Sequence, residues 1–414
     1  MIFRLKGWMT GAASVLGCMF YCAAFAQGNA PDAHSAGAER IKQGEYLFRA
    51  ADCAACHAEP GGTKLTGGRA FTLPFGSIFA VNITPDKKTG IGDYTDEEWL
   101  KMLRSGVGRG GKHLYPVMPY TAYTLMSDED ALAIKAYLFS LRPEHAVPPR
   151  NQLSFPFNQR WSMIFWNWLN NPDKRFKPVS GKSAEWNRGA YLTEALGHCS
   201  QCHTPRTLTY GLSSKAYAGT VQMGWRAYNL TSDPDHGLGG WTDEQLKSYL
   251  ATGKASGKGP ASGPMAEAVE HGLRYMTPED IAAIVVYLRS LAPIAEGPAV
   301  QSSLKVQDKT RTETESRGQM LFVQACAGCH LPDGRGRQSE WAALAGAHSL
   351  SDPEALNLIQ VLREGTSLET VQGRVFMSGF TKTYTAEELA AIATYVTAHF
   401  GGSNVAVKSS VFKN

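Results

Sequence analysis

Beyond its first 26 residues this chain has no uninterrupted apolar stretch long enough to span a bilayer, so any membrane attachment is expected to be peripheral or through a partner. Dense Lys/Arg runs are missing too, and a formal net charge of +4 over 414 residues is no nucleic-acid footprint. No Ser, His, Asp or Cys falls into a nucleophile-and-base pattern, which leaves the chain without a recognisable catalytic constellation of its own. A cysteine left over beyond a repeated pattern is also missing. Of eight cysteines, two lie near the start and the other six fall into three repeats of one five-residue word.

What is present describes a globular protein, with 43% hydrophobic and 19% charged residues and length enough for two or three domains. The start, MIFRLKGWMTGAASVLGCMFYCAAFAQGNA, has a basic Arg4 and Lys6, an apolar stretch from Trp8 to Phe25 and a small-residue Ala24-Phe25-Ala26 site before Gln27. Residues 1–26 therefore read as the signal peptide of an exported protein. The alternatives are a retained anchor, against which Thr10, Gly11 and Ser14 break the stretch, and a faint lipoprotein site at Cys18. Removing the leader takes away Arg4 and Lys6 and lowers the net charge from +4 to +2.

The three words are Cys53-Ala-Ala-Cys56-His57, Cys199-Ser-Gln-Cys202-His203 and Cys326-Ala-Gly-Cys329-His330. C-x-x-C-H is the attachment signature of c-type haem. Two thiols three positions apart on a helical turn reach the two vinyl groups of one porphyrin edge, and the next histidine lies under the iron as proximal ligand. A thioredoxin-like redox pair needs a βαβ context that this sequence lacks, and a zinc site needs a closed set of four ligands. Three covalently bound haem c groups are thus expected, attached through Cys53, Cys56, Cys199, Cys202, Cys326 and Cys329, with His57, His203 and His330 on the irons.

The repetition extends beyond the words. Each is preceded by a short helical stretch, Gly44-Glu-Tyr46-Leu47, Gly189-Ala-Tyr191-Leu192 and Gly318-Gln-Met320-Leu321, and followed much later by an apolar-periodic helix carrying Tyr137, Tyr287 or Tyr395. Glycine within a helix costs about 1 kcal/mol against alanine. Close crossing of the first and last helices, with an aromatic against the glycine, would explain it. The last helices begin at Ser127, Thr277 and Thr385 with an acid three residues on, a capping-box pattern whose preceding Met126, Met276 and Tyr384 take the staple position.

This arrangement resembles the class I cytochrome c fold three times over. The resemblance implies an all-α chain of three tandem domains at 27–142, 183–292 and 310–402, joined by an aromatic-rich linker at 143–182 and a second at 293–309, with a short tail at 403–414. Such domains usually complete the iron with a methionine. Asn82 and Asn229 open matching segments 147 residues apart, and the same offset carries Met118 to Met265. Met377 stands seven residues before Tyr384, much as Met118 stands eight before Met126. Met118, Met265 and Met377 are therefore the expected distal ligands, against the bland reading that they only fill the core. His113 and His271 are rivals, read as solvated or loop histidines.

The mature chain is also similar to the three-haem cytochrome c subunit of membrane-associated bacterial sugar, alcohol and aldehyde dehydrogenases, of the gluconate, fructose, sorbitol and quinoprotein alcohol types. The features that carry the likeness are the three words in order, the segment Asn82-Ile-Thr-Pro-Asp86 with Gly90-Ile-Gly92, Gly263-Pro-Met265 with its Glu-His, and Phe155-Pro-Phe157-Asn158-x-Arg160. The resemblance implies an electron relay from a flavin- or quinone-cofactor dehydrogenase subunit to ubiquinone, in the periplasm and peripherally attached to the inner membrane. The chain departs from the pattern in two places. Only Gly401 to Asn414 follows the last helix, where relatives often carry an amphipathic extension, and the loop from Ser339 to Gly346 lacks a proline that backs the proximal histidine. Other readings are a free-standing periplasmic carrier serving an oxidase or reductase, and a haem enzyme with one five-coordinate iron. The aromatic segment FPFNQRWSMIFWNWL at 155–169 either fills the seam between the first two domains, the preferred reading, or grips a partner or the membrane interface.

Overall fold

The computed structural model describes residues 33–299, 312–337, 340–403 and 405–413; the leader and residues 300–311 lie outside them. Ala33–Ala50 (α1), Cys53–His57 (α2), Asp96–Ser105 (α3), Tyr120–Tyr123 (α4) and Asp128–Ser140 (α5) come first, followed by Met163–Asn170 (α6) in the connection. Ala184–Tyr191 (α7) continues into a π-helical turn at Leu192–Leu196, then Ser200–His203 (α8), Asp243–Thr252 (α9), Gly263–His271 (α10) and Pro278–Arg289 (α11) follow. The last helices are Glu313–Ala325 (α12), Ala327–His330 (α13), Leu356–Glu364 (α14) and Ala386–Gly401 (α15). Helix makes up about 45% of the structure. Short antiparallel strands join it, so the expected purely helical chain is not what is seen. Ala70–Leu73 pairs with Gly76–Phe79, which takes Gln152–Leu153 on its other edge, and a hairpin runs from Gly365 to Ser378.

The first and last helices of each repeat cross as the sequence predicts. A Cβ added to Gly44 would stand 1.9 Å from the Ala133 carbonyl oxygen, one on Gly189 1.9 Å from that of Ala283, and one on Gly318 2.1 Å from that of Ala391. Tyr137, Tyr287 and Tyr395 follow four residues after those carbonyls, and their Cβ atoms would stand only 3.0, 3.0 and 2.8 Å from the added atom. Any side chain at these glycines must push two backbones apart. Gly189→Ala is expected to lower unfolding free energy by about 1–3 kcal/mol, as overpacking does, read by denaturant titration followed through far-UV circular dichroism.

All three last helices are capped from the expected hydroxyl: Ser127, Thr277 and Thr385 accept from the backbone N–H of Asp130, Asp280 and Glu388. The reciprocal half of the box forms only at Thr385. At the other two the acid is engaged across a seam between the first two repeats. The Tyr46 hydroxyl donates to Asp280 Oδ2 at 2.5 Å and accepts from the Thr277 N–H at 3.2 Å. Its counterpart Tyr191 donates to Asp130 Oδ2 at 2.6 Å and accepts from the Ser127 N–H at 3.2 Å. Each repeat thus inserts the tyrosine of its Gly-x-Tyr stretch into the helix cap of the other, a pseudo-two-fold exchange. The third repeat has Met320 at that position, exposed, and does not share the seam.

Arg188 closes the seam with two bonds to Asp280, of 2.8 and 2.7 Å. Burial alone would raise the Asp280 carboxyl, but the Arg188 guanidinium and the Tyr46 phenol outweigh it and hold the carboxyl below its ordinary 3.8. A lowered folded value adds stability that is fully present above 3.8 and is lost as pH falls through the folded value. Acid titration should therefore cost wild type more stability below about pH 4 than it costs Asp280→Asn, measured as the pH dependence of the unfolding midpoint.

The aromatic linker lies partly between the first two repeats, as the preferred reading has it: Asn167 bonds Ser105 and Tyr120 of the first and Trp166 bonds Thr209 of the second, although the outer side of 161–169 is exposed. The rest of the seam is occupied by Tyr46, Tyr191, Asp130, Asp280 and a shared core that includes Phe48, Met126, Leu192 and Ile284. The third repeat has its own core around Phe322, Leu389 and Tyr395 and reaches the second at several points. Leu368 of the 365–378 hairpin packs among Ala261, Ala266 and Val269 at α10. Arg226 Nε donates to fully buried Asp352 at 2.8 Å, and its terminal amine donates to Glu354 at 2.6 Å. The C-terminal residues fold back: Phe412 is buried against the third core, and the Val407 N–H donates to Thr394 Oγ1.

Candidate functional site

Each C-x-x-C-H word forms a short helical turn directly after a first helix, in α2, at the start of α8 and in α13. Asp52 and His198, the residues just before the first two words, take left-handed backbone at φ 50° and 39°, which turns the chain sharply from one helix into the next. None of the six cysteines is joined in a disulfide. Burial pushes the Cys56 thiol up to about 12 and the Cys326 thiol up to about 11, so both are neutral at physiological pH.

The three histidines are held alike. His57 Nδ1 lies 2.8 Å from the Val81 carbonyl oxygen, His203 Nδ1 2.6 Å from that of Tyr228, and His330 Nδ1 2.7 Å from that of Ala342. A carbonyl can only accept, so Nδ1 carries the proton and Nε2 keeps its lone pair. Burial lowers all three from the ordinary 6.5, favouring the neutral ring. This is the second-sphere bond that fixes tautomer and orientation of a metal-bound imidazole. For His330 it comes from Ala342, in the loop that lacks the backing proline.

The residues fit the group that the words imply. Each turn offers two unpaired thiols and one imidazole with a free nitrogen. Tyr228, whose carbonyl holds His203, keeps a buried hydroxyl with no partner among the described residues. No three His, Cys, Asp or Glu side chains cluster as a metal-ion cage among the described residues, so the thiols are not arranged as a closed zinc set.

The expected distal methionines come from three different local structures. Met118 sits in the turn before α4 and borders the first core together with Cys53. Met377 lies on the second strand of the 365–378 hairpin, opposite Thr366, and borders the third core with Cys326. Met265, in the first turn of α10, borders the small cluster of Ala261, Ala266, Val269 and Leu368, whereas Met276 borders the core that holds Cys199. His113 is half-buried with Nδ1 unpartnered among the described residues, and His271, at the end of α10, is half-buried with its basicity lowered by burial. Both are therefore only partly solvated, within the reading of solvated or loop histidines.

Sequence reasoning missed Tyr123. It is buried, its hydroxyl donates to the Ala51 carbonyl oxygen at 2.7 Å, and its ring stands edge-on to His198 at 5.6 Å, so one side chain touches the approaches to two words. Its spacing inside a four-residue helix gave no periodic signal.

The cytochrome c family model matches residues 41–142 and 187–292, and the model for cytochrome c oxidase, cbb3-type, subunit III matches 313–396. The fructose dehydrogenase cytochrome subunit of Gluconobacter japonicus is 37% identical over 94% of this chain and 85% of its own length. The gluconate 2-dehydrogenase cytochrome c subunit of Pantoea cypripedii is 35% identical over 94% and 90%. The cytochrome c subunit of alcohol dehydrogenase (quinone) of Gluconobacter oxydans is 31% identical over 96% and 85%.

Proposed function

Because the chain belongs to the family of cytochrome c subunits of dehydrogenase complexes, we propose that it is a three-haem relay carrying electrons from a dehydrogenase subunit to ubiquinone. The observation that carries this reading is the threefold recurrence of one device: a C-x-x-C-H turn with Nδ1 of its histidine tied to a carbonyl. The cysteine pairs Cys53 and Cys56, Cys199 and Cys202, and Cys326 and Cys329 hold covalent haem c, one in each tandem domain at 27–142, 183–292 and 310–402. The Nε2 atoms of His57, His203 and His330 and the sulfurs of Met118, Met265 and Met377 complete the irons.

When bound, haem supplies reversible one-electron chemistry at iron. The protein fixes each imidazole through Val81, Tyr228 or Ala342, and with one histidine and one methionine in each domain the iron would be held by protein side chains alone, with no place left for a substrate. The partner carries a flavin or quinone cofactor and oxidises a CH–OH or aldehyde group. The chain works in the periplasm, peripherally attached to the inner membrane. In support, no helix among the described residues is long and apolar enough to cross a membrane, and the start of the sequence has the build of an export signal.

A pull-down of the tagged full chain from native membranes tests the proposal. A dehydrogenase catalytic subunit should co-purify, and its substrate should reduce the haems within the complex. Recovery of the cytochrome with no dehydrogenase, still reducible only by small chemical reductants, would overturn it in favour of a free carrier.

A further inference from the structure

Helix α6 is built inside out. Over residues 161–170 the exposed positions are Trp161, Ile164, Phe165, Trp168 and Leu169, which follow the i, i+3, i+4, i+7, i+8 spacing of one helix face. Trp168 is 86% exposed and Phe165 64%. The opposite face, turned to the protein, is the one that makes hydrogen bonds. Asn167 donates to the Ser105 carbonyl oxygen at 2.8 Å and accepts from the Tyr120 hydroxyl at 2.7 Å, and the Trp166 indole N–H donates to the Thr209 carbonyl oxygen at 2.7 Å. Arg160, just before α6, donates to the His113 carbonyl oxygen at 2.7 Å and covers the Tyr115 ring. A water-facing helix normally shows the reverse arrangement.

The polar bonds anchor the helix firmly while its apolar face points outward. Leu208 and Tyr210, on either side of the Thr209 that Trp166 bonds, are exposed as well.

The charge around it is one-sided. From residue 145 to residue 172, and again from 204 to 214, there is no Asp or Glu; Arg150, Lys174 and Lys177 flank the helix, against a single Asp173 that is paired with Arg175. Outward tryptophans with an apolar body and a polar N–H, on a helix short enough to lie flat and flanked by cations, match the requirements of an anionic lipid–water interface. A protein-docking face of this size normally carries hydrogen-bonding groups within it, and this stripe has only the two indole N–H groups.

We propose that the outward face of residues 161–169 is a membrane-docking surface that inserts among the headgroups of an anionic lipid leaflet. The proposal deepens the peripheral attachment stated above and is separable from the electron relay, since substitutions on this face leave every haem-attaching residue in place.

The test is flotation of the purified, haem-loaded full chain with vesicles of phosphatidylcholine and phosphatidylglycerol in equal parts. Wild type should float with these vesicles and less with phosphatidylcholine alone. Phe165→Glu with Trp168→Glu should reduce the bound fraction at least about tenfold while the haem spectrum stays unchanged. In a second arm, brominated lipids should quench wild-type tryptophan fluorescence, and Trp161→Phe with Trp168→Phe should bind as wild type while losing most of that quenching. Three results would overturn the proposal: no wild-type flotation, undiminished flotation of the charged variant, or loss of dehydrogenase co-purification by that variant with vesicle binding intact. The last would make the face a protein interface. If the charged variant does not fold, undiminished quenching in the Trp→Phe pair overturns it alone.

Discussion

Met265→Ala is expected to remove one methionine–iron signature from the spectrum and to lower the potential of that haem by on the order of a hundred millivolts, stalling transfer through the chain. Axial ligand identity is the strongest control on haem potential, and water or hydroxide in place of a thioether favours the ferric state. The structure gives this experiment a sharp control. Met276 borders the same core as Cys199, while Met265 borders the cluster shared with Leu368. Met276 also precedes the Thr277 cap, whose hydroxyl accepts from the Asp280 N–H, as expected of a staple residue. Met276→Leu conserves volume and should leave every methionine signature intact. Near-infrared absorption and redox titration of both variants decide the assignment. A lost signature in Met276→Leu, with Met265→Ala normal, would transfer the ligand role to Met276.

The second large effect concerns the junction between the second and third repeats. Arg226 is the guanidinium that faces Asp352, a carboxylate with no solvent exposure, and it also bonds exposed Glu354. The Arg226 N–H donates to Asn357 Oδ1, and Asn357 donates back to the Arg226 carbonyl oxygen, so backbone and side chain are both clamped. Arg226→Ala leaves the Asp352 charge buried without its partner and should cost about 3–5 kcal/mol, seen as early release of the third repeat on denaturation. The pair Arg226→Met with Asp352→Leu should cost far less, because the uncompensated charge is then absent. Equal losses in the two would show that lost packing, not the stranded charge, governs the junction.

Tyr228 joins this junction to the Cys199–His203 turn. Its carbonyl holds His203, while its ring stacks on His348 of the third repeat at 4.4 Å. The residue that orients His203 is therefore itself packed against a neighbour outside its own repeat.

Much of this was legible in the residues. The helix crossings at Gly44, Gly189 and Gly318 followed from the penalty of glycine in a helix together with its recurrence before every word. The caps followed from hydroxyl and acid spacing. What escaped reading was long-range. Asp130 and Asp280 looked like the acids of capping boxes, and nothing local says that a tyrosine more than 60 residues away takes them instead. The 365–378 hairpin was absorbed into a helical domain because only its two glycines punctuate a short polar run, and the burial of Leu368 depends on α10 of the preceding repeat. For α6 the helical period was visible, but which face turns inward depends on Ser105, Tyr120 and Thr209, none of them neighbours in sequence.

The central claim is that all three C-x-x-C-H turns carry covalent haem. A pyridine haemochrome assay on the purified full chain, set against protein concentration from amino-acid analysis, tests it directly. The account predicts three haems per chain, retained after denaturation and acid–acetone extraction; two or fewer, or haem that extracts into the solvent, would contradict it.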